Sequence, residues 1–338
     1  MILFHKFYAQ EAKTLLENLI DLALQKHATD IHISSDNNVS LRVGGEIEKI
    51  SFDANSPENF WQEVTSNFRE ELKEKDFAYT TSNGTRLRCN YYLASGKRSI
   101  AIHILPRAVA SIRELSLPPV FAKIANEGHG LILICGDVGS GKSTTMAAMI
   151  EEINNIRPCH IVTIEDPIEY VFASKKSLVH QREIGTDTED FARATVASLR
   201  QDADVIMIGE IRDEATAEAA LVAAESGRLV FATLHSSSAT GAAERFAELS
   251  RNKLGTKNRL ARAFVAIIYQ KMFFDEARNP HAGTELLLHT KATENCIIDS
   301  KESALRDAMQ SGKEFGMFTL DDDLARLSAK FGKLTGKI

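Results

Sequence analysis

The sequence predicts an α/β protein: a mostly parallel, doubly wound sheet preceded by a smaller α+β unit. Three observations predict it. An apolar run at 131–135 enters a glycine-rich loop and then an apolar-periodic helix (Met146, Ala147, Met149, Ile150, Ile153), the strand–turn–helix order of a layered fold. Beyond it, short Val/Ile/Leu runs keep alternating with alanine-rich helical stretches. The first hundred residues instead alternate apolar with polar at period two, as antiparallel strands do when one face is wet.

In chain order, Leu15, Leu16, Leu19, Ile20 and Leu24 recur at helical spacing. Alternating runs follow at 30–34, 39–43 and 46–50, and Gly44-Gly45 between the last two is a hairpin signal. A charged helical stretch is expected at 57–75, then strands around Tyr79, Leu87 and Ile102. The pattern changes near Pro106. This gives a first domain at 1–106, a linker at 107–113, and a core at 114–338 that ends in a helical region. Core strands are expected at 131–135, 160–164, 205–208 and 229–234, with helices at 191–199 and 215–224.

Composition narrows the class. A chain of 338 residues with 44% hydrophobic and 25% charged residues suits about two globular domains. It shows neither a membrane-length apolar run nor the long apolar core of a secretory leader. Four cysteines (Cys89, Cys135, Cys159, Cys296) form no Cys-x-x-Cys pair, so neither zinc nor a disulfide framework is expected. A net charge of −6 argues against dedicated nucleic-acid binding.

The chemistry is carried by the loop Gly136-Asp137-Val138-Gly139-Ser140-Gly141-Lys142-Ser143-Thr144. Its glycines let backbone N–H groups curl around an anion, Lys142 reaches outer phosphates, and the Ser143 hydroxyl suits Mg²⁺. The following helix adds the positive end of its dipole. A nucleoside triphosphate is therefore the expected ligand. In such sheets ligands bind beyond the carboxyl ends of the strands, and three other strand ends there are polar. One reads Glu165-Asp166-Pro167-Ile168-Glu169, another Gly209-Glu210-Ile211-Arg212-Asp213, the third His235-Ser236. Glu210 is expected to polarise the attacking water. Glu165 and Asp166 would hold Mg²⁺ through waters or share in activating the nucleophile, and His235 would sense the γ-phosphate.

Taken together, these segments resemble the secretion and pilus motor ATPases, most closely the type IV pilus retraction ATPases (the PilT family). The matching blocks are the loop at 136–145, Ile164-Glu165-Asp166-Pro167-Ile168-Glu169-Tyr170, Gln181-Arg182-Glu183-Ile184-Gly185, the segment 204–213, and Thr233-Leu234-His235-Ser236. Thr29-Asp30-Ile31-His32-Ile33 and Phe315-Gly316-Met317-Phe318-Thr319-Leu320-Asp321 extend the match across nearly the whole chain. The resemblance implies a PAS-like first domain on a RecA-like core, and a homohexamer that binds ATP between one copy's core and a neighbour's first domain. It further implies a cytoplasmic motor, peripheral at the inner face of the bacterial inner membrane, partnered by a polytopic platform protein. Arg86 and Arg88 match family arginines that reach towards phosphates, whereas His103 stands where a later one is expected, with Arg98 as a possible substitute. The absence of a zinc module favours the retraction branch. Against it, Ala292-Thr293-Glu294-Asn295-Cys296-Ile297-Ile298-Asp299 lacks both arginines of the retraction motif. The alternative is a motor for pilus extension, type II/IV secretion or conjugative transfer. Histidines elsewhere have no ligand spacing, Glu70-Glu71 and Asp321-Asp322-Asp323 read as solvated helix faces, and Met272-Phe273-Phe274 reads as core.

Overall fold

In a computed structural model of the chain, the described residues are 15–34, 38–51, 61, 73–105 and 108–336. The chain divides into two compact units, Met1–Arg107 and Ala108–Ile338.

In the first unit, α1 (Leu15–Gln25) precedes β1 (Ala28–Ser34), β2 (Val39–Val43), β3 (Glu46–Ile50), β4 (Glu74–Thr80), β5 (Arg86–Ala94) and β6 (Lys97–Ile104). The sheet order is β3-β2-β1-β6-β5-β4 with every pairing antiparallel. Period two decides which face is inside. Ile31, Leu41, Leu87 and Ile102 are buried on the face that meets Leu16, Leu19 and Ile20 of α1. The β2–β3 turn needs positive φ at both central residues, and Gly44 (+57°) and Gly45 (+89°) supply it. Of the helix expected at 57–75, Trp61 is helical and buried; 52–60 and 62–72, including Glu70-Glu71, lie outside the described residues. Glu74 and Lys75 belong instead to β4, where Lys75 opposes Tyr91 and Phe77 opposes Cys89 in the β5 ladder.

In the second unit, α2 (Val120–Ala125), β7 (Gly130–Cys135) and α3 (Lys142–Ile156) lead to β8 (His160–Glu165), β9 (Leu178–Glu183) and α4 (Phe191–Ser198). Then come β10 (Val205–Ile208), α5 (Glu214–Glu225), β11 (Leu229–Leu234), α6 (Ala239–Glu248) and α7 (Lys253–Ala263). The hairpin β12 (Phe264–Phe274) and β13 (Pro280–Leu288) is followed by α8 (Lys291–Ile298), α9 (Glu302–Ser311), α10 (Leu320–Phe331) and the short β14 (Thr335–Gly336). The sheet order is β13-β12-β7-β11-β10-β8-β9. It is parallel from β12 through β9, with β13 antiparallel on one edge. Every residue of β7, β10 and β11 is buried, as strands covered on both faces must be. One core lies on the face covered by α5, α6 and α7, and another on the face covered by α2 and α3.

Phe273 is buried on β12, in keeping with a core role for Met272-Phe273-Phe274. The acidic run at 321–323 corrects its expectation at Asp323. It forms the first turn of α10, where Asp322 completes a capping box with Thr319. Asp323 is buried, and its carboxylate accepts from the Thr284 amide (2.8 Å) and hydroxyl (2.7 Å) and from Arg326 (2.7 Å). Carboxylates in a first turn satisfy unpaired amides; Asp323 fastens α10 to β13, whereas Asp321 is exposed as expected.

Candidate nucleotide-binding site

The loop leaves β7 at Gly136 (φ +147°), where an added Cβ would stand 2.2 Å from the Gln270 carbonyl oxygen. Gly141 (φ +85°) closes it into α3, and no side chain caps that helix. The first-turn amides of α3 are thus left to an anion. Lys142 donates from Nζ to the carbonyls of Gly136 (2.8 Å) and Asp137 (2.9 Å) and lies across the loop it belongs to. Partial burial lowers its pKa, opposed by the carboxylates of Asp137, Glu210 and Glu169. Ser140 is buried, and its hydroxyl has no hydrogen-bond partner among the described residues. Val138, at the loop's tip, is 82% exposed.

Sheet order places the other strand ends beside this loop, because β11, β10 and β8 follow β7 in sequence across the sheet. The β10 end is fixed by short bonds: Thr233 Oγ1 donates to the Gly209 carbonyl (2.5 Å), and the Gly209 amide donates to that of Ile164 (2.8 Å). A Cβ at 209 would crowd Ile164 and Phe191, which is why glycine precedes Glu210. Glu210 is ion-paired with Arg212 at 2.6 Å. Asp213 caps α5 by accepting from the Thr216 amide (2.8 Å). His235 lies exposed just past β11.

Glu165 is 4% exposed and points into a network rather than into water. It accepts from the Thr163 hydroxyl (2.6 Å) and from Gln181 Nε2 (3.1 Å), with the Glu169 amide at 3.4 Å. Burial pushes its carboxyl up to about 7 against those hydrogen bonds. Asp166 is exposed. Among the described residues no three His, Cys, Asp or Glu side chains converge as metal ligands. A donor set of one hydroxyl and few carboxylates suits Mg²⁺ carried by phosphates and water, since that ion keeps several waters.

Residues to which the sequence assigned no role brace the site. Gln270 on β12, 1% exposed, donates to the Ser140 carbonyl (2.6 Å) and accepts from Thr145 Oγ1 (2.7 Å). Tyr170 Oη and Thr144 Oγ1 lie 2.9 Å apart, which joins the carboxylate-rich loop to α3. Gln181 also donates to the Tyr170 carbonyl (2.7 Å) and accepts from the Phe172 amide (2.8 Å). Tyr170 and Gln181 sit inside matching blocks of the sequence, and Gln270 stands with Lys271 as the polar pair inside a long apolar run.

In the first unit, Arg86 and Arg88 stand two apart on β5, and Arg88 is opposite His103 on β6. His103 pairs in turn with Asp30 on β1, Nδ1 to Oδ1 at 2.9 Å, and Arg42 on β2 reaches Asp30 at 3.8 Å. The His103 and Thr29 bonds hold the Asp30 carboxyl below its ordinary value against partial burial. The position expected to carry a family arginine is therefore occupied by a histidine with a carboxylate partner. Elsewhere, His160 Nε2 and His180 Nδ1 are 2.8 Å apart, and His281 pairs with Asp275 at 3.1 Å.

A family model described as Type II/IV secretion system protein matches residues 9–305. The chain is 37% identical over 297 residues to a twitching motility protein of Neisseria gonorrhoeae, covering 85% of this chain and 79% of the relative. It is 34% identical over 324 residues to the type IV pilus retraction ATPase PilT of Pseudomonas aeruginosa, covering 93% and 94%. A crystal structure of the pilus retraction motor PilT with bound ADP matches the fold with a TM-score of 0.84 at 33% identity, covering 96% and 95%.

Proposed function

The chain belongs to the Type II/IV secretion system protein family, in which it is a PilT-like ATPase, and from that premise we propose that it cleaves ATP to drive pilus retraction. The observation that carries the reading is a glycine loop that enters α3 with no side-chain cap at the helix start, with Lys142 Nζ held across that loop by the Gly136 and Asp137 carbonyls. Phosphoryl transfer asks mainly for positioning and charge stabilisation. The phosphates would take the place of the loop carbonyls at Lys142 and meet the Ser140 hydroxyl and the α3 amides. Mg²⁺, held by the phosphates and the Ser143 hydroxyl with the exposed Asp166 reached through water, would supply further charge neutralisation. The enclosed Glu165, expected from the sequence to share in that shell, would instead steady the loop that carries Asp166. Glu210, steadied by Arg212, would accept a proton from the water that attacks the γ-phosphorus as the bond to the bridging oxygen breaks. His235 would contact the γ-phosphate from the neighbouring strand end.

In the same reading the chain works as a homohexamer. Arg86 and Arg88 of one copy would serve a neighbour's nucleotide. Among the described residues no helix is long and apolar enough to cross a membrane, so action at the inner face of the inner membrane would pass through a polytopic platform protein. One observation favours a different motor role, in pilus extension or secretion. The helix α8 is retained, capped by Thr290 with Ile297 buried, yet Glu294 and Ile298 stand where the retraction motif carries arginines.

Purified protein should hydrolyse ATP, and Lys142→Ala should abolish turnover; activity persisting in that variant would remove the assignment. In cells, loss of the gene should leave pili that extend without shortening, whereas absent pili or blocked secretion would shift the role to the second reading.

A further inference from the structure

The carboxylates Glu165, Asp166 and Glu169 follow one another closely at the end of β8, and like charges so near each other push the loop that carries them apart. One side chain reaches both ends of that loop. Gln181 stands on β9 opposite Thr163 of β8, and Glu183 stands opposite Glu165, so all four share one face of the sheet. The Nε2 of Gln181 donates to Glu165 Oε1 (3.1 Å) and to the Tyr170 carbonyl (2.7 Å), and its Oε1 accepts from the Phe172 amide (2.8 Å). Both N–H groups are thus engaged. The amide has one orientation only, since turning it over would set its oxygen against two acceptors and its nitrogen against a donor.

Gln181 therefore ties the Glu165 side chain, where the acidic loop begins, to the Tyr170 backbone, where it ends. Between those points Glu183 accepts from the Ile168 amide (3.1 Å). From Tyr170 the hold passes to α3. The tyrosine hydroxyl lies 2.9 Å from Thr144 Oγ1, and Thr144 follows Lys142 and Ser143 in the first turn of that helix. Beyond Phe172, the buried Asn154 of α3 donates to the Ala173 carbonyl (2.8 Å) and accepts from the Lys175 amide (3.1 Å). An amide at 181 has a chemical reason. A lysine or arginine there would cancel charge in the acidic loop, whereas a neutral donor orders the same groups and adds no charge of its own.

We propose that Gln181 is a positioning residue for ATP cleavage: by holding Glu165 and Tyr170 together, it sets where the acidic loop stands against the first turn of α3. The inference rests on the ATPase reading above and gives the edge strand β9 a part in turnover. Gln181 acts through Glu165 and Tyr170, so its removal changes the rate of the bound nucleotide's reaction more than the binding itself.

ATPase assays and ADP calorimetry on the full chain separate this role from plain support of the fold. Gln181→Glu keeps the shape and the acceptor for Phe172 and removes the donors. Gln181→Met keeps the length and removes every polar group, and either variant carries the test if the other fails to fold. Each should lower kcat about ten- to a hundredfold, the loss expected when reacting groups are misplaced by about an ångström. ADP affinity and KM should stay within about twofold of wild type. Tyr170→Phe removes only the bond to Thr144 and should lower kcat in the same direction. Combined with Gln181→Glu, it should add nothing beyond the larger single loss, because both act through one loop. Unchanged kcat in the Gln181 variants, ADP affinity falling as far as kcat, or additive losses in the double variant would overturn the assignment. A wild type without ATPase activity, or Lys142→Ala with wild-type turnover, would instead remove the reading on which it rests.

Discussion

Glu165 and Glu210 stand at the ends of adjacent strands and meet different surroundings. Glu210 keeps 17% of its side chain exposed beside Arg212, so it is available to solvent and to a reacting water. Replacing it with glutamine keeps shape and removes the proton acceptor. The expected result is a kcat lower by about 10²–10⁴ with ADP affinity retained; unchanged kcat would move the role elsewhere. Glu165 is enclosed, and its carboxyl titrates near 7 in the folded chain against an ordinary 4.5. Between those values the folded chain keeps a proton that the unfolded chain has released, so stability falls as pH rises through the window. The wild-type denaturation midpoint should therefore drop relative to Glu165→Gln between about pH 5 and pH 8. Parallel curves for the two proteins would show that burial does not set this titration.

At the scale of elements, β12 does more than widen the sheet. Its carbonyl at 270 lies so close to Gly136 that only glycine fits, and the Gln270 side chain binds both ends of the loop's last turn. Gln270→Leu leaves the buried Ser140 carbonyl and Thr145 hydroxyl unpaired, which should cost about 1–3 kcal/mol of stability and raise KM for ATP. A variant with wild-type unfolding and wild-type KM would show that the loop holds its shape alone. This brace also marks how far sequence reading reached. The strands β7, β8, β10 and β11 were legible because continuous Val/Ile/Leu runs mean strands buried on both faces, and Lys142 and Glu210 were legible because they sit at those strands' ends. The edge strand β9 was not, since Leu178-Val179-His180-Gln181-Arg182-Glu183 has little apolar character and, among the described residues, pairs only with β8. Its Gln181 supports Glu165 from that position, and contacts between distant segments leave no local pattern. Asp323 was misread for the same reason: its burial depends on Thr284, far away in the chain.

At the scale of the whole molecule, the two units divide the proposed labour. The second carries the loop and the carboxylates, and the first carries Arg86, Arg88 and the His103–Asp30 pair. If arginines of one copy complete the site of the next, the interface is heterologous, the kind from which a closed ring is built when the rotation between copies closes. Two separately inactive proteins would then rescue each other. Lys142→Ala has a dead core and intact arginines; an Arg86→Ala/Arg88→Ala double variant has the reverse. After dissociation and random reassembly in equal amounts, about one interface in four pairs an intact core with intact arginines. ATPase activity should return to roughly that fraction of wild type in the mixture, and to none in either protein alone. His103 adds a second readout. Because Asp30 is bonded to it at 2.9 Å, His103→Arg should raise the rescued activity if that position faces phosphate, whereas a mixture as inactive as its parts would confine each active site to a single copy.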